Sequence, residues 1–147
     1  VALKPLLDPM LDDLAGEIAA RGLIVTLDLA VAEIMSERQG LQEAVANLLS
    51  NAVKFSPAQG GTIAVRSYRE GDQVVVTVAD RGVGFDMQYH DRIFGIFERL
   101  HRQEDYPGTG VGLAIVRKVA ERHGGRAWAE SAPGRGSTFF LAFPDPR

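Results

Sequence analysis

The 147-residue sequence contains no cysteine. That excludes disulfides and thiolate metal sites. It sits comfortably with the cytoplasm, which is the expected location. Aromatic residues make up only 7%. No apolar run approaches the roughly 20 residues that cross a bilayer, and no signal peptide is visible, so no membrane segment is expected. Neither sign of charge dominates, because 16 Lys and Arg stand against 19 Asp and Glu, for a net charge of −3. General attraction to nucleic acid or to a membrane surface is therefore not implied. The three histidines, His90, His101 and His123, show no metal-ligand spacing. His123 closes a helical pattern, where a cationic side chain favours the helix dipole. What remains is an ordinary globular composition, 46% hydrophobic and 24% charged. It suffices for a single domain with a real core over residues 1–147. The chain opens in mid-pattern at Val1-Ala2-Leu3, without methionine, and is expected to be a piece of a longer protein.

Residues 3–21 carry Leu7, Leu11, Leu14 and Ile18 on one helical face, and Gly22 ends the pattern. Residues 23–29 alternate like a strand, and 31–35 read as a second short one. A helix over 37–55 stops at Ser56-Pro57. Strands over 62–68 and 73–80 flank a hairpin signal at Gly71-Asp72. A third helix, over 111–123, closes at Gly124-Gly125. Strands over 126–130 and 137–143 flank Pro133-Gly134. The fold class is an α/β sandwich, an α+β two-layer arrangement with one mixed, mostly antiparallel sheet and three helices on one face. Between Gly82 and Gly108 runs a long stretch with little regular pattern, and connections of that length are usually functional or disordered.

Three places could carry chemistry. The run Gly108-Thr109-Gly110-Val111-Gly112-Leu113 leads directly into a helical pattern. Glycine lets backbone approach a ligand, and a helix start offers unpaired N–H groups, so the pair makes a phosphate cradle. A plain connector would look similar. Neither the dinucleotide fingerprint nor the Gly-Lys-Ser/Thr pattern fits. On the second helix, at about 100° per residue, Glu43, Asn47, Asn51 and Lys54 fall within an arc of roughly 80°. Leu41, Val45, Leu48 and Ala52 lie opposite. A surface helix is one explanation. Against it, asparagine is a mediocre helix former. Neutral carbonyl oxygens beside a lysine suit a magnesium ion already carrying phosphates. Finally, Val74, Val76, Val78 and Asp80 share one strand face just before Arg81-Gly82-Val83-Gly84. Asp80 is either a turn cap or a buried-edge carboxylate that accepts from a ligand amino group, with Gly82 and Gly84 letting a flat ring lie close.

The order of these segments resembles the ATP-binding catalytic domain of bacterial sensor histidine kinases, in the superfamily shared with gyrase, Hsp90 and MutL. Asn47-Leu48-Leu49-Ser50-Asn51-Ala52-Val53-Lys54-Phe55 is similar to that family's N box, and Asp80-Arg81-Gly82-Val83-Gly84-Phe85 to its first glycine box. Ile93-Phe94-Gly95-Ile96-Phe97-Glu98-Arg99 resembles the F box, the run from Gly108 to Leu113 the second glycine box, and Gly134-Arg135-Gly136-Ser137-Thr138-Phe139 the third. Arg99-Leu100-His101, with Glu104-Asp105-Tyr106, is most like kinases of the phytochrome type.

The resemblance implies the Bergerat ATP-binding fold with a lid over about 85–107, and ATP and Mg2+ as cofactors. It implies that Asn51 coordinates the magnesium, that Asn47 lines the same site, and that Lys54 and, from the lid, Arg102 approach the phosphates. It implies that Asp80 accepts from the adenine amino group, with Gly82, Gly84 and Phe55 bordering the nucleotide. Gly108, Thr109, Gly110, Val111, Gly112 and Leu113 surround the triphosphate, and Thr138 adds a pocket contact. Phe94 and Phe97 tie the lid to the body or to the partner domain. ATP-hydrolysing relatives place a glutamate where this chain has Asn47, which favours transfer over hydrolysis. No histidine here has the acceptor's context. The implied partners are therefore a helical dimerisation and phosphotransfer domain of the same protein and, indirectly, a response regulator. A regulatory nucleotide-binding module and an anti-sigma-type serine kinase share these motifs.

Overall fold

Alternation and helical periodicity become eight elements in the computed structural model, which describes residues 1–34, 37–55, 61–81, 111–131 and 136–145. They are α1 (Leu3–Ala20), β1 (Ile24–Leu29), α2 (Arg38–Phe55), β2 (Thr62–Glu70), β3 (Gln73–Asp80), α3 (Val111–Arg122), β4 (Arg126–Ser131) and β5 (Ser137–Pro144). The expected strand over 31–35 is not among them. Its place is taken by an isolated bridge between Ala2 and Glu33. One pairing is too little to hold a ladder once Val1 has given way to the first turn of α1. The expected lid, about 85–107, lies outside the described residues.

The sheet runs β1-β2-β3-β5-β4. β1 and β2 are parallel and every other neighbouring pair is antiparallel. A parallel pair needs a crossover, and α2 supplies it. Register decides which residues face the helices. Val65 pairs with Val78, Val74 with Phe143, and Ala127 with Leu141. These residues, with Ile63, Val76, Ala129 and Phe139, form one core cluster with Leu41, Ala44, Val45, Leu48 and Leu49 of α2 and Val116, Val119 and Ala120 of α3. Leu3, Leu6, Leu7 and Met10 bring α1 into the same cluster. All three helices therefore serve one face of the sheet.

On the other face no helix packs among the described residues, and Val75, Thr77 and Ala142 there are buried. Trp128 stacks on its cross-strand partner Phe140, with ring centroids 4.8 Å apart and planes 1° from parallel. The Arg126 guanidinium lies 4.1 Å from the Trp128 ring centroid. Such a cation–π contact contributes about 0.5–1 kcal/mol at an exposed site.

Chain direction follows from these pairings. α2 and α3 are tied where α2 begins and α3 ends, because the Glu37 N–H donates to His123 Nε2 at 3.2 Å. His123 Nδ1 lies 2.8 Å from the Val119 carbonyl, so it carries the ring proton and Nε2 is left to accept. His123 was expected to serve the α3 dipole as a cation. It also links the two helices, a role that depends on a partner 86 residues away in sequence. The start of α2 and the end of α3 thus share one end of the sandwich. The C-terminal turn of α2, the first turn of α3, the end of β3, the start of β5 and the end of β4 share the other.

Phe143 is fully buried in the core, at 0% exposure. Phe143→Ala is expected to cost about 3–5 kcal/mol, measured by urea denaturation. A loss below 1 kcal/mol would mean that the helix layer collapses onto the gap.

Candidate nucleotide site

The helix-facing side of the sheet is apolar until its last level. Along β3, Val74, Val76 and Val78 are followed on the same face by Asp80. Asp80 pairs with Ser137 of β5, and Ser137 pairs with Ser131 of β4. One polar row, Asp80–Ser137–Ser131, therefore closes three strands at the same end. Asp80 is 7% exposed and Ser137 9%. Burying a carboxylate this deeply is costly unless hydrogen bonds or charges compensate it, so the position is not that of a solvated turn cap.

Gly136 brings the row together. It takes φ +78, and a Cβ built on it would stand 2.2 Å from the Asp80 carbonyl oxygen and 2.7 Å from the Arg81 Cα. Only glycine allows the start of β5 to approach the end of β3 this closely.

α2 presents its asparagines to the same end. Its buried residues run from Ala44 and Asn51 on one side round to Val53 on the other, an arc of roughly 200°. α2 lies over β3 with α1 and α3 on its flanks, so it is more enclosed than a surface helix. Asn51 marks the edge of that arc and is only 4% exposed. Its amide nitrogen has no hydrogen-bond partner among the described residues. A buried unpaired amide costs about 1–3 kcal/mol. Asn47, one turn earlier, is half-buried and donates its side-chain N–H to the Glu43 carbonyl at 2.9 Å. Glu43 itself leaves the group. It lines a polar depression at the opposite end of the sandwich with Glu37, Gln39, Gly40 and Arg122.

The structure therefore brings together Asn51, Asp80 and the first turn of α3, where Val111, Gly112 and Leu113 start the helix. Lys54 and Phe55 form the last residues of α2. The side chains of Lys54, Phe55, Val111 and Leu113 lie outside the described residues. So do Gly82, Gly84, Phe94, Phe97, Arg102, Gly108, Thr109 and Gly110 in their entirety. Thr138 requires a correction. It pairs with Ala79 and Glu130, one residue out of step with Asp80, and so stands on the helix-free face of the sheet. A period of two places Ser137 inward instead. Counting outward from the inward Phe139 would have identified Ser137 from sequence.

No group of His, Cys, Asp or Glu able to hold a metal ion occurs among the described residues. Asn51 is instead one neutral donor with an unpaired end, and its carboxamide can turn. This fits magnesium that arrives on phosphates and keeps mostly water and phosphate ligands, and it does not fit a resident all-protein cage.

Comparison with known proteins identifies the family to which this fold belongs. The family described as histidine kinase-, DNA gyrase B-, and HSP90-like ATPase matches residues 36–147. The chain belongs to that family. It is 41% identical over 138 residues to cyanobacterial phytochrome A of Nostoc sp., covering 94% of this chain and 18% of that protein. Among solved structures it resembles the mycobacterial sensor histidine kinase MprB, with a TM-score of 0.81 and 28% identity over 100% of this chain and 97% of that one. It also resembles full-length ShkA, solved in complex with AMPPNP, with a TM-score of 0.82 and 26% identity over 98% of this chain and 30% of that one. These similarities place the domain among histidine kinase catalytic domains, and the family is one that binds ATP. The chain spans less than a fifth of the phytochrome's length.

Two substitutions test the site. Asp80→Asn is expected to weaken ADP binding about 10- to 150-fold, the worth of one charged hydrogen bond. Calorimetry on both forms measures it, and equal affinities would remove Asp80 from the site. Asn51→Leu is expected to raise stability by about 1–2 kcal/mol, because it replaces an unpaired buried amide with a side chain of similar volume. Nucleotide binding should fall at the same time. A destabilised Asn51→Leu in urea titration would show that the amide is paired in solution.

Proposed function

We propose that this domain binds Mg-ATP and donates the γ-phosphoryl group to a histidine on a separate helical dimerisation domain of the same protein, in two-component signalling. The observation that carries this reading is the buried, unpartnered Asn51 amide at the end of the sandwich where Asp80 closes the core. Asp80 would accept from the adenine amino group and hold the base against the inner face. The first turn of α3 would point its unpaired N–H groups at the phosphates. Asn51 would hold the magnesium, which when bound neutralises charge on the phosphate oxygens. Lys54 and Arg102 would approach the same oxygens.

In the transfer a nitrogen of the acceptor imidazole forms a bond to the γ-phosphorus. The bond from that phosphorus to the β–γ bridging oxygen breaks, and ADP leaves. Phosphoryl transfer asks little covalent chemistry of the protein, so positioning and electrostatic stabilisation are the domain's contribution. Asn47 supports transfer over hydrolysis. Its N–H is engaged by the helix carbonyl of Glu43, and a carboxamide oxygen is no base for activating water.

The isolated chain is expected not to label itself from γ-labelled ATP. It should label a separately supplied helical domain that carries the acceptor histidine, slowly because the parts are untethered. The label should be stable to alkali and lost in acid. Robust self-labelling would contradict the proposal. Tight ATP binding with no transfer to any acceptor would favour a regulatory nucleotide-binding module, and an acid-stable label on a serine would favour a serine kinase. A second test concerns the metal: Asn51→Ala should abolish the effect of magnesium on ATP affinity, read by titration with and without the ion.

A further inference from the structure

The polar row contains two members that the nucleotide reading does not use, Ser137 and Ser131. Ser131 ends β4, the edge strand, two strands away from Asp80. Its hydroxyl donates to the Gly136 carbonyl at 2.7 Å. It also lies 2.9 Å from the Ser137 hydroxyl oxygen. A hydroxyl has one proton. Since the Gly136 carbonyl can only accept, Ser131 spends its proton there, and the bond between the two serines must carry the proton of Ser137. Ser137 therefore points its proton toward Ser131. The oxygen of Ser137 is left as an acceptor beside the Asp80 carboxylate, which is its cross-strand partner.

We infer that Ser131 is a positioning residue that sets base selectivity, by holding Ser137 as an acceptor so that the Asp80–Ser137 pair takes an amino group and rejects a carbonyl. This rests on the assignment of Asp80 to the adenine base. Two acceptors side by side suit a purine that carries an exocyclic amine. A 6-oxo purine would set its own acceptor against both. The clasp is built at the point of closest approach between β5 and β3, where Gly136 leaves no room for a Cβ against the Asp80 and Arg81 backbone. Its hydroxyl geometry is therefore set by backbone atoms that cannot drift far.

Without Ser131 the Ser137 hydroxyl has lost its acceptor and can turn its proton to a 6-oxo group. The experiment compares affinity for ATP and for inosine triphosphate, whose base carries a carbonyl where adenine carries the amine. In the unaltered chain ATP is expected to bind tighter. In Ser131→Ala the ATP-to-inosine-triphosphate ratio should fall by roughly three- to tenfold, the worth of one neutral hydrogen bond. Ser131→Thr keeps the hydroxyl and should restore the ratio. Ser137→Ala removes the second acceptor itself and should lower the ratio as well. A merely structural role for Ser131 would weaken both nucleotides together and leave the ratio alone. An unchanged ratio in Ser131→Ala or in Ser137→Ala overturns the inference while leaving Asp80 in place. No preference for ATP in the unaltered chain overturns the assignment of Asp80 along with it.

Discussion

Everything at the candidate site depends on where the apolar face of the sheet stops. Three strands carry buried apolar residues toward the helices, level by level, and the last level is Asp80, Ser137 and Ser131. The levels below are locked by core packing, with Val76 beside Leu141 and Val74 beside Phe143. A one-residue slip of β5 would turn Phe139, Leu141 and Phe143 out of the core, so the register is strongly specified. The position of the polar row is therefore inherited from the hydrophobic effect. The carboxylate needs no dedicated scaffold of its own.

The helix layer solves a matching problem from above. α2 is enclosed over more than half its circumference, and its buried arc ends at Asn51. An apolar residue there would have finished the core. An amide nitrogen without a partner among the described residues leaves the layer polar at that edge, at a cost in stability. The opposite end is tied together by a hydrogen bond between helices. There Glu37, at the entry to α2, donates to His123, whose other ring nitrogen bonds the α3 backbone. One end of the sandwich carries the link from Glu37 to His123, and the other carries a donor without a partner among the described residues.

Much of this was legible in the sequence because it rests on short-range periodicity. The alternation of Val74, Val76, Val78 and Asp80 gave the inward face of β3, and the wheel of α2 gave the asparagine stripe. What the stripe could not show is that Asn51 is buried while Glu43 is exposed, since that depends on how α1 and α3 flank α2. Thr138 was misplaced for a different reason. A single-residue shift in a strand moves a side chain to the other face, and Phe139 was the marker that fixes the phase. The roles of His123 and Ser131 were not legible, since their partners are set by long-range packing in one case and by the approach at Gly136 in the other. The sequence between Gly82 and Gly110 has no described structure to be set against the motifs read there.

The two faces of the sheet are furnished differently. On the side away from these three helices, Trp128 and Phe140 stack and Arg126 lies over the indole, and Val75, Thr77 and Ala142 are buried. Aromatic pairs of this kind contribute beyond their buried area. A second helical layer would have enclosed the sheet on both sides, as in parallel α/β folds. Among the described residues the three helices all pack on the inner face, and Asn51 and Asp80 stand at the end where α2 finishes and α3 begins. The same pleat that sends Phe140 and Trp128 outward sends Ser137 and Ser131 inward. The aromatic stack on the outer face and the polar row on the inner face are thus two consequences of one strand register.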